Sequence, residues 1–573
     1  MEMGVDPKKK AEYLTTADRF FRHGDFRAMR ACAREILSHD LDDLDGLALL
    51  AQASFYLGEE DALDSIITRI AQAEPTNLRM LLVAGERAAK EFELYKEVTL
   101  LSRLWKLGEG IMGEIPPYII SVLERAGRLL VDAYYLLGRP REASEMCFGL
   151  SGIVSGTLNK ADLYGMGLFL TNYLVPDKNF LQRRERYNVF FGAKVTIPHT
   201  PPEDGAVPNR KMRIGYISPD FREHSVAHFL SPFLSHYSKS DFNVYCYQRG
   251  RSDKVTKRFK RFAVYWRDIT EMNPVEAARQ IFKDGIDILV DFSGHSGGSC
   301  LPVLSQRPAP IQMTAIGDIY STGLHEVDYF LSDMTCLPTT RPVHGFTEKI
   351  ALLPYCHLCY APDIVRPLPM ESQEPPAKRN GYVTFGSFNN FNKAGRETLI
   401  LWRAVLEMVE GSKLIIKNKI ASTDDGCAEA IKRLQDVGID PERVELRPYS
   451  PDYLEQYADV DIALDTTPYC GGLTTCEALM MGVPVVTLKG TSHASSYGAT
   501  ILEAAGLPEL IAHTELEYAR KAARIAKSME ILEKFHSGLR DVITQSRLMN
   551  ASLYMKDVEE LYKKLWRDWC AGK

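Results

Sequence analysis

No run of apolar residues in this 573-residue sequence is long enough to span a bilayer, and the first residues, Met1-Glu-Met-Gly-Val-Asp-Pro-Lys8, lack the apolar core of a secretion signal. Both absences predict a cytoplasmic protein. Basic charge is not in surplus either. With a net charge of −6 and a pI near 6.2 there is no overall field for polyanions, and Lys8 to Lys10 is a short terminal run, so nucleic acid is not an expected partner. Eleven cysteines, an odd number, are scattered from Cys32 to Cys570, a pattern of reduced buried thiols rather than of a disulfide framework. Cys356-His-Leu-Cys359 is the one close pair, and without a second pair at zinc spacing the two read as core-facing thiols. No Asp-x-Asp pair stands in a position that demands a metal, so neither a metal nor another cofactor is expected.

What is present is ordinary globular material, 45% apolar and 25% charged. Its length exceeds what one hydrophobic core serves, so two to four domains are expected. A helical repeat opens the chain. Ala17 and Gly24 recur as Ala51 and Gly58 at an offset of 34 residues, the tetratricopeptide period, with each Gly at the turn between two antiparallel helices. Asp40 recurs as Glu74, just before Pro75, whose ring ends one helix and starts the next unit. A third copy over 82–106 is degenerate, and Ala133, Gly138 and Ala143 mark a clearer fourth. Tetratricopeptide-like repeats are therefore expected over 11–150, followed by a helical linker over 151–208. Stacked repeats present a concave groove that holds peptides or partner proteins. A structural or homodimer-forming cap is the alternative.

From about residue 211 short β-branched runs alternate with helical stretches, which predicts parallel sheets with crossover helices. Strands at 213–217, 243–247, 286–290, 312–316 and 329–331 form one Rossmann-like half, residues 209–362. A proline-rich linker, 363–380, precedes strands at 382–385, 414–416, 444–446, 461–464 and 484–488 of a second half, 381–545. Ligands bind beyond the carboxyl ends of such strands, so two facing sheets create a cleft. Four segments directly follow predicted strands: Gly215 to His224, Asp291-Phe-Ser-Gly-His295, Gly386 to Lys393, and Asp465 to Glu477.

Within the last of these, Cys470, Gly471, Gly472, Thr474 and Thr475 precede a helix. Amides at a helix start bind anions, the glycines let a phosphate approach, and the hydroxyls add donors, so a pyrophosphate fits. A Gly-rich turn with a Thr helix cap fits the spacing equally well. Glu477, one turn into that helix, offers an acceptor for ribose hydroxyls, and no Walker lysine follows. Lys393 is placed to neutralise charge on a departing diphosphate, and His224 and His295 are candidate bases for an acceptor hydroxyl. For all three the alternative is a structural role.

These segments carry a resemblance. Ser218-Pro-Asp-Phe-Arg-Glu-His-Ser-Val226, Arg307-Pro-Ala-Pro-Ile-Gln312, Gly381-Tyr-Val-Thr-Phe-Gly-Ser-Phe-Asn-Asn390 and Leu464-Asp-Thr-Thr-Pro-Tyr469, continuing through Thr474-Thr-Cys-Glu477, resemble the intracellular protein O-glycosyltransferases. These are the O-GlcNAc transferases, their bacterial relatives and the plant SPINDLY O-fucosyltransferases. The likeness runs from Arg213 to the C-terminus. It implies an α/β GT-B fold, two Rossmann-like domains facing a cleft, preceded by the all-α tetratricopeptide region. A last helix near Leu553 to Trp569, within 546–573, is expected to cross back onto the first half. Also implied is transfer with inversion and without a metal, from a UDP-sugar (GlcNAc or glucose) to Ser or Thr of a protein held along the repeat groove and cleft.

By matching positions, Lys393 resembles the family's phosphate-contacting lysine, Asn390 a donor contact, Thr474 and Thr475 the diphosphate ligands, Glu477 the ribose contact, and His224 the active-site histidine. Departures gather around the donor. Tyr453 stands in place of a base-stacking histidine, Ser450 of a lysine, Leu473 of a histidine, and Asp318-Ile319 of Tyr-Pro. A GDP-fucose donor, or an inactive repeat-bearing binding protein, are the alternatives.

Overall fold

The helical region is built by paired helices whose starts and turns repeat with the chain. In the computed structural model, which describes residues 6–59, 63–111, 115–191, 197–262, 265–337, 345–370 and 374–572, eight helices run from Pro7–Arg22 to Pro140–Ile153 among the described residues. Asp43 caps the helix Leu44–Leu57 by accepting from Gly46 N–H at 2.9 Å, and Asn77 caps Leu78–Lys90 by accepting from Met80 N–H at 3.0 Å. The two caps stand one repeat period apart. Gly24 and Gly58 take left-handed conformations, φ 72° and 74°, in the turns after the first and third helices. One period further on the same turn is made by Phe92, φ 58°, which is why the third copy is hard to see in the sequence. Leu14, Ala17, Met29, Ala33, Ile36, Leu49 and Ala53 pack the core of the first three helices.

Two compact units result. One comprises Met1–Leu163 with Thr423–Ala430, and the other Tyr164–Ser422 with Ile431–Lys573. The division falls inside the segment 151–208 expected to be a linker. Over 164–191 that segment is packed into the sheet unit: Tyr164 Oη donates to Arg183 O at 2.9 Å, and the Tyr187 ring meets the ring of His295 at 4.6 Å. Residues 1–5, and 371–373 of the 363–380 linker, lie outside the described residues.

The sheet unit holds two parallel sheets. The first contains β1 (Met212–Ser218), β2 (Phe242–Gln248), β3 (Tyr265–Asp268), β4 (Ile288–Asp291), β5 (Ile311–Thr314), β6 (Tyr329–Asp333) and β7 (Lys349–Leu353), in the order β3-β2-β1-β4-β5-β6-β7. The second contains β8 (Thr384–Ser387), β9 (Lys413–Lys417), β10 (Val444–Arg447), β11 (Ile462–Leu464), β12 (Val485–Leu488) and β13 (Ile511–Ala512), in the order β10-β9-β8-β11-β12-β13. Central strands such as β4 are buried along their whole length, which is why they read as unbroken apolar runs. Three strands were not legible in the sequence. β3 is a polar edge, β7 is only partly buried, and β13 has two residues.

In each sheet the strand order reverses once, between β1 and β4 and between β8 and β11, and ligands of such sheets bind beyond these switch points. The helix Ala551–Cys570 closes the chain against the first sheet's side. Tyr554 Oη donates to His357 O at 2.8 Å, and Lys563 pairs with Asp241 at 2.9 Å.

Candidate functional site

The four predicted loops are the ones that leave the two switch points, after β1 and β4 in the first sheet and after β8 and β11 in the second. A buried aspartate shapes each of the two turns at β4 and β11. Asp291 accepts from Gly294 N–H at 2.7 Å and Ser293 N–H at 3.0 Å. Asp465 accepts from Gly471 N–H at 2.7 Å, Thr466 N–H at 2.8 Å and Thr487 Oγ1 at 2.7 Å. Burial pushes both carboxyls up, Asp291 to about 6. Their N–H donors and hydroxyls pull the other way and hold the loops in shape. Neither aspartate was singled out in the sequence, although each stands at the end of a strand where the chain must turn.

The turn that Asp465 folds delivers Gly471 and Gly472 to the start of the helix Leu473–Met480. A Cβ on Gly471 would lie 2.6 Å from Thr475 Oγ1, 2.7 Å from Thr474 Oγ1 and 3.1 Å from Asn389 Oδ1, so only glycine fits there. Thr474 Oγ1 donates to Asn389 Oδ1 at 2.8 Å. Thr475 Oγ1 is buried with no hydrogen-bond partner within the protein. The result is a glycine-led helix start with a spare hydroxyl, an arrangement whose chemistry suits an anion.

Lys393 reaches this turn from β8. Its Nζ donates to Cys470 O at 2.9 Å and sits 3.7 Å from the centre of the Tyr469 ring. Burial of the ammonium pulls its pKa down to about 8, against the opposing attraction of Asp465. Asn390 caps the short turn Phe391–Lys393, its Oδ1 accepting from Asn392 N–H at 3.1 Å. Asn390 thus fixes the backbone that carries the lysine, and Asn389, missed in the sequence, joins that loop to Asp465 and Thr474.

Glu477 and Tyr453 meet directly, the phenol donating to the carboxylate. Burial raises Glu477 to about 7, with the Tyr453 hydrogen bond opposing. Arg366 stands 5.1 Å from the centre of the Tyr453 ring. An aromatic face and an acidic acceptor side by side suit a nucleoside, one for the base and one for ribose hydroxyls.

His224 caps the helix Ser225–Ser235, its Nδ1 accepting from Val226 N–H at 3.3 Å. Burial, and then the charge of Arg222, lower its pKa to about 4, so the ring is neutral at physiological pH. The same Nδ1 lies 3.4 Å from Asp220 Oδ2, so the neutral ring sits between a backbone donor and a carboxylate acceptor. His295 is placed differently. Only 2% exposed, its Nε2 bonds to Thr322 O at 2.7 Å and its ring lies against Tyr187 and Gly165. The structure holds it in the packed interior. Its backbone N–H is tied to Asp318 Oδ2 at 3.1 Å. Asp318 in turn accepts from Asn172 at 2.8 Å and neighbours the fully buried Arg184.

A cavity of about 860 Å³ opens between the halves, lined among others by Phe180, Tyr320, Pro468, Ser492 and His493. That volume is within the range of small-ligand sites. Thr467 and Pro468 connect it to the Tyr469–Gly472 turn.

Known proteins are similar to this chain in sequence and fold. The family described as glycosyl transferase family 41 matches residues 189–362 and 370–558. The Solanum lycopersicum protein named "Probable UDP-N-acetylglucosamine-peptide N-acetylglucosaminyltransferase SPINDLY" is 35% identical over 417 residues, 71% of this chain and 44% of that protein. Its Arabidopsis thaliana namesake is 36% identical over 374 residues, 64% and 40%. The chain therefore spans less than half the length of these relatives. Among solved structures, a mutant of Thermobaculum terrenum O-GlcNAc transferase superimposes with a TM-score of 0.63 at 26% identity, covering 99% of both chains.

Proposed function

We propose that this chain, which belongs to glycosyl transferase family 41, is an inverting protein O-glycosyltransferase that moves GlcNAc or glucose from a UDP-sugar to Ser or Thr of a protein. The observation that carries the reading is Lys393 beside the Gly471–Thr475 turn: a cation, an anion-binding helix start and a spare hydroxyl converge where a diphosphate would leave. In transfer the bond between the anomeric carbon and the diphosphate oxygen breaks while the acceptor oxygen attacks from the opposite face, and the acceptor hydroxyl's proton passes to solvent. Negative charge then grows on the departing diphosphate. Lys393 supplies positive charge at that point, in the role a metal plays elsewhere, and Thr474, Thr475 and the helix amides supply hydrogen bonds.

Tyr453 and Glu477 are assigned to the nucleoside. Glu477 near pH 7 can exchange its Tyr453 bond for a ribose hydroxyl, and Tyr453 offers a face to the base. His224 is assigned as a neutral hydrogen-bonding contact to the sugar or its phosphate, because burial keeps its basicity low. His295 is assigned a positioning role behind the Asp318 loop. The repeats are assigned to holding the acceptor polypeptide. The names of the SPINDLY relatives support UDP-GlcNAc as donor, and the departures at Ser450, Tyr453 and Leu473 make the base the point to test.

The test is a panel of UDP- and GDP-sugars offered with candidate acceptor proteins, read by mass increase of the acceptor and release of nucleoside diphosphate. The reading expects a UDP-sugar to be consumed. Consumption of GDP-fucose alone would reassign the donor, and no consumption of any donor would sink the enzyme assignment.

A further inference from the structure

We propose that Cys336, His357 and His493 form a buried site for one zinc-class cation that ties the first sheet to the second. The three side chains come from different loops. Cys336 follows β6, His357 follows β7, and His493 follows β12, so the first two belong to one half and the third to the other. All are buried, and their ligand atoms lie within 4.8 Å of one another. Tetrahedral zinc with bonds of about 2.0–2.3 Å sets its ligands roughly 3.5 Å apart, so a small inward shift completes the set.

The surroundings hold all three side chains in place, the Cys336 thiol donating to the carbonyl of Ser496 at 3.6 Å. Asp333 Oδ1 accepts from Cys336 N–H at 2.8 Å, and Asp333 Oδ2 accepts from His357 N–H at 2.9 Å and contacts His357 Nδ1 at 2.5 Å. Thr500 Oγ1 adds a bond to the same oxygen at 2.9 Å, so the carboxylate is fully occupied as a scaffold. His493 Nδ1 is bonded to the carbonyl of Ile319 at 3.1 Å. Each imidazole therefore places its N–H on an acceptor at Nδ1 and turns a lone pair inward at Nε2, the arrangement found behind metal-binding histidines. Both Nε2 atoms are buried with no hydrogen-bond partner within the protein.

Without a cation, an Asp333–His357 ion pair explains one nitrogen of one ring and leaves both Nε2 atoms unsatisfied. One thiolate and two imidazoles select a borderline-soft metal and disfavour magnesium or calcium, which require oxygens. On binding, the Cys336 thiol proton passes to solvent, and water takes the fourth position. Of the stretch Cys356–Cys359, His357 is the ligand and the two cysteines are not. This site holds the halves together and does not depend on the transfer reaction proposed above.

Cobalt(II) reports such a site directly. The chelator-treated chain titrated with Co²⁺ is expected to take up about one equivalent with a thiolate charge-transfer band, to lose the band to Zn²⁺, and to melt at a higher temperature with metal than without. Cys336→Ser should abolish the band, while Cys356→Ser, which alters a neighbouring thiol, should keep it. Asp333→Asn should weaken binding by about 10–100-fold, as expected when a supporting carboxylate is neutralised. Absence of a thiolate band in the wild-type chain at one equivalent of Co²⁺, or an unchanged band in Cys336→Ser, would overturn the proposal. The wild-type arm decides even where a variant fails to fold.

Discussion

Lys393 is asked to do two opposed things: remain charged for chemistry and tolerate burial. Burial lowers its pKa from 10.5 to about 8, so the folded state disfavours the ammonium. For a lysine with a depressed folded pKa, the stability cost is fully present below pH 8 and is relieved as pH rises from there toward the unfolded value. Lys393→Met should therefore abolish transfer while raising stability at pH 7 by about 1–2 kcal/mol, after discounting for partial exposure, with the gain fading at higher pH. Chemical denaturation at pH 7 and pH 10 measures it, and an equal gain at both would contradict the burial argument. The pH profile of kcat/KM should fall above about 8 as free Lys393 loses its proton, and His224, near 4, should contribute no limb between pH 6 and 8. His224→Ala should lower the rate by roughly 10²–10³-fold with only a modest change in donor affinity, the pattern of a lost transition-state hydrogen bond. Donor Kd by calorimetry separates the two effects.

At the scale of elements, the turn before the helix Leu473–Met480 and the turn at Phe92 make contrasting demands on a side chain. Gly471→Ala would drive a methyl into Thr474 and Thr475, so donor binding should be lost while the fold survives, visible as an absent thermal shift with UDP. Phe92 holds a left-handed conformation that favours glycine, and its side chain is 62% exposed. Phe92→Gly should stabilise the helical unit by about 1 kcal/mol, and a loss in denaturation would mean that the ring packs more than its exposure suggests.

The same elements show what was legible. Gly24, Gly58 and Gly138 signalled their turns because only glycine is comfortable there, whereas Phe92 hid the third repeat by occupying the same backbone state. Strands with unbroken apolar runs were readable; the polar edge strand β3 and the two-residue β13 had no pattern to read. Lys393, Gly471 and Thr475 could be grouped because each sits on a loop directly after a predicted strand, β8 and β11, which are neighbours in the sheet. Cys336, His357 and His493 could not, since three separate loops converge only in the fold. Likewise, nothing local distinguishes His224, which caps a helix, from His295, which is sealed behind Tyr187.

At the scale of the whole molecule, two parallel sheets each reverse strand order once, and the loops carrying His224, Lys393 and the Gly471–Thr475 turn leave those two places, while Tyr453 comes from the loop after the edge strand β10. Pairing the two halves supplies what neither has alone, a diphosphate turn from one and the His224 loop from the other. The most direct measurement is transfer itself: intact mass of acceptor protein after incubation with UDP-GlcNAc or UDP-glucose, for the wild-type chain and for Lys393→Ala in parallel. The account predicts a gain of one sugar mass with release of UDP for the wild type, and no gain for a folded Lys393→Ala chain. Equal transfer by both chains, or none by the wild type with any nucleotide sugar, would contradict it.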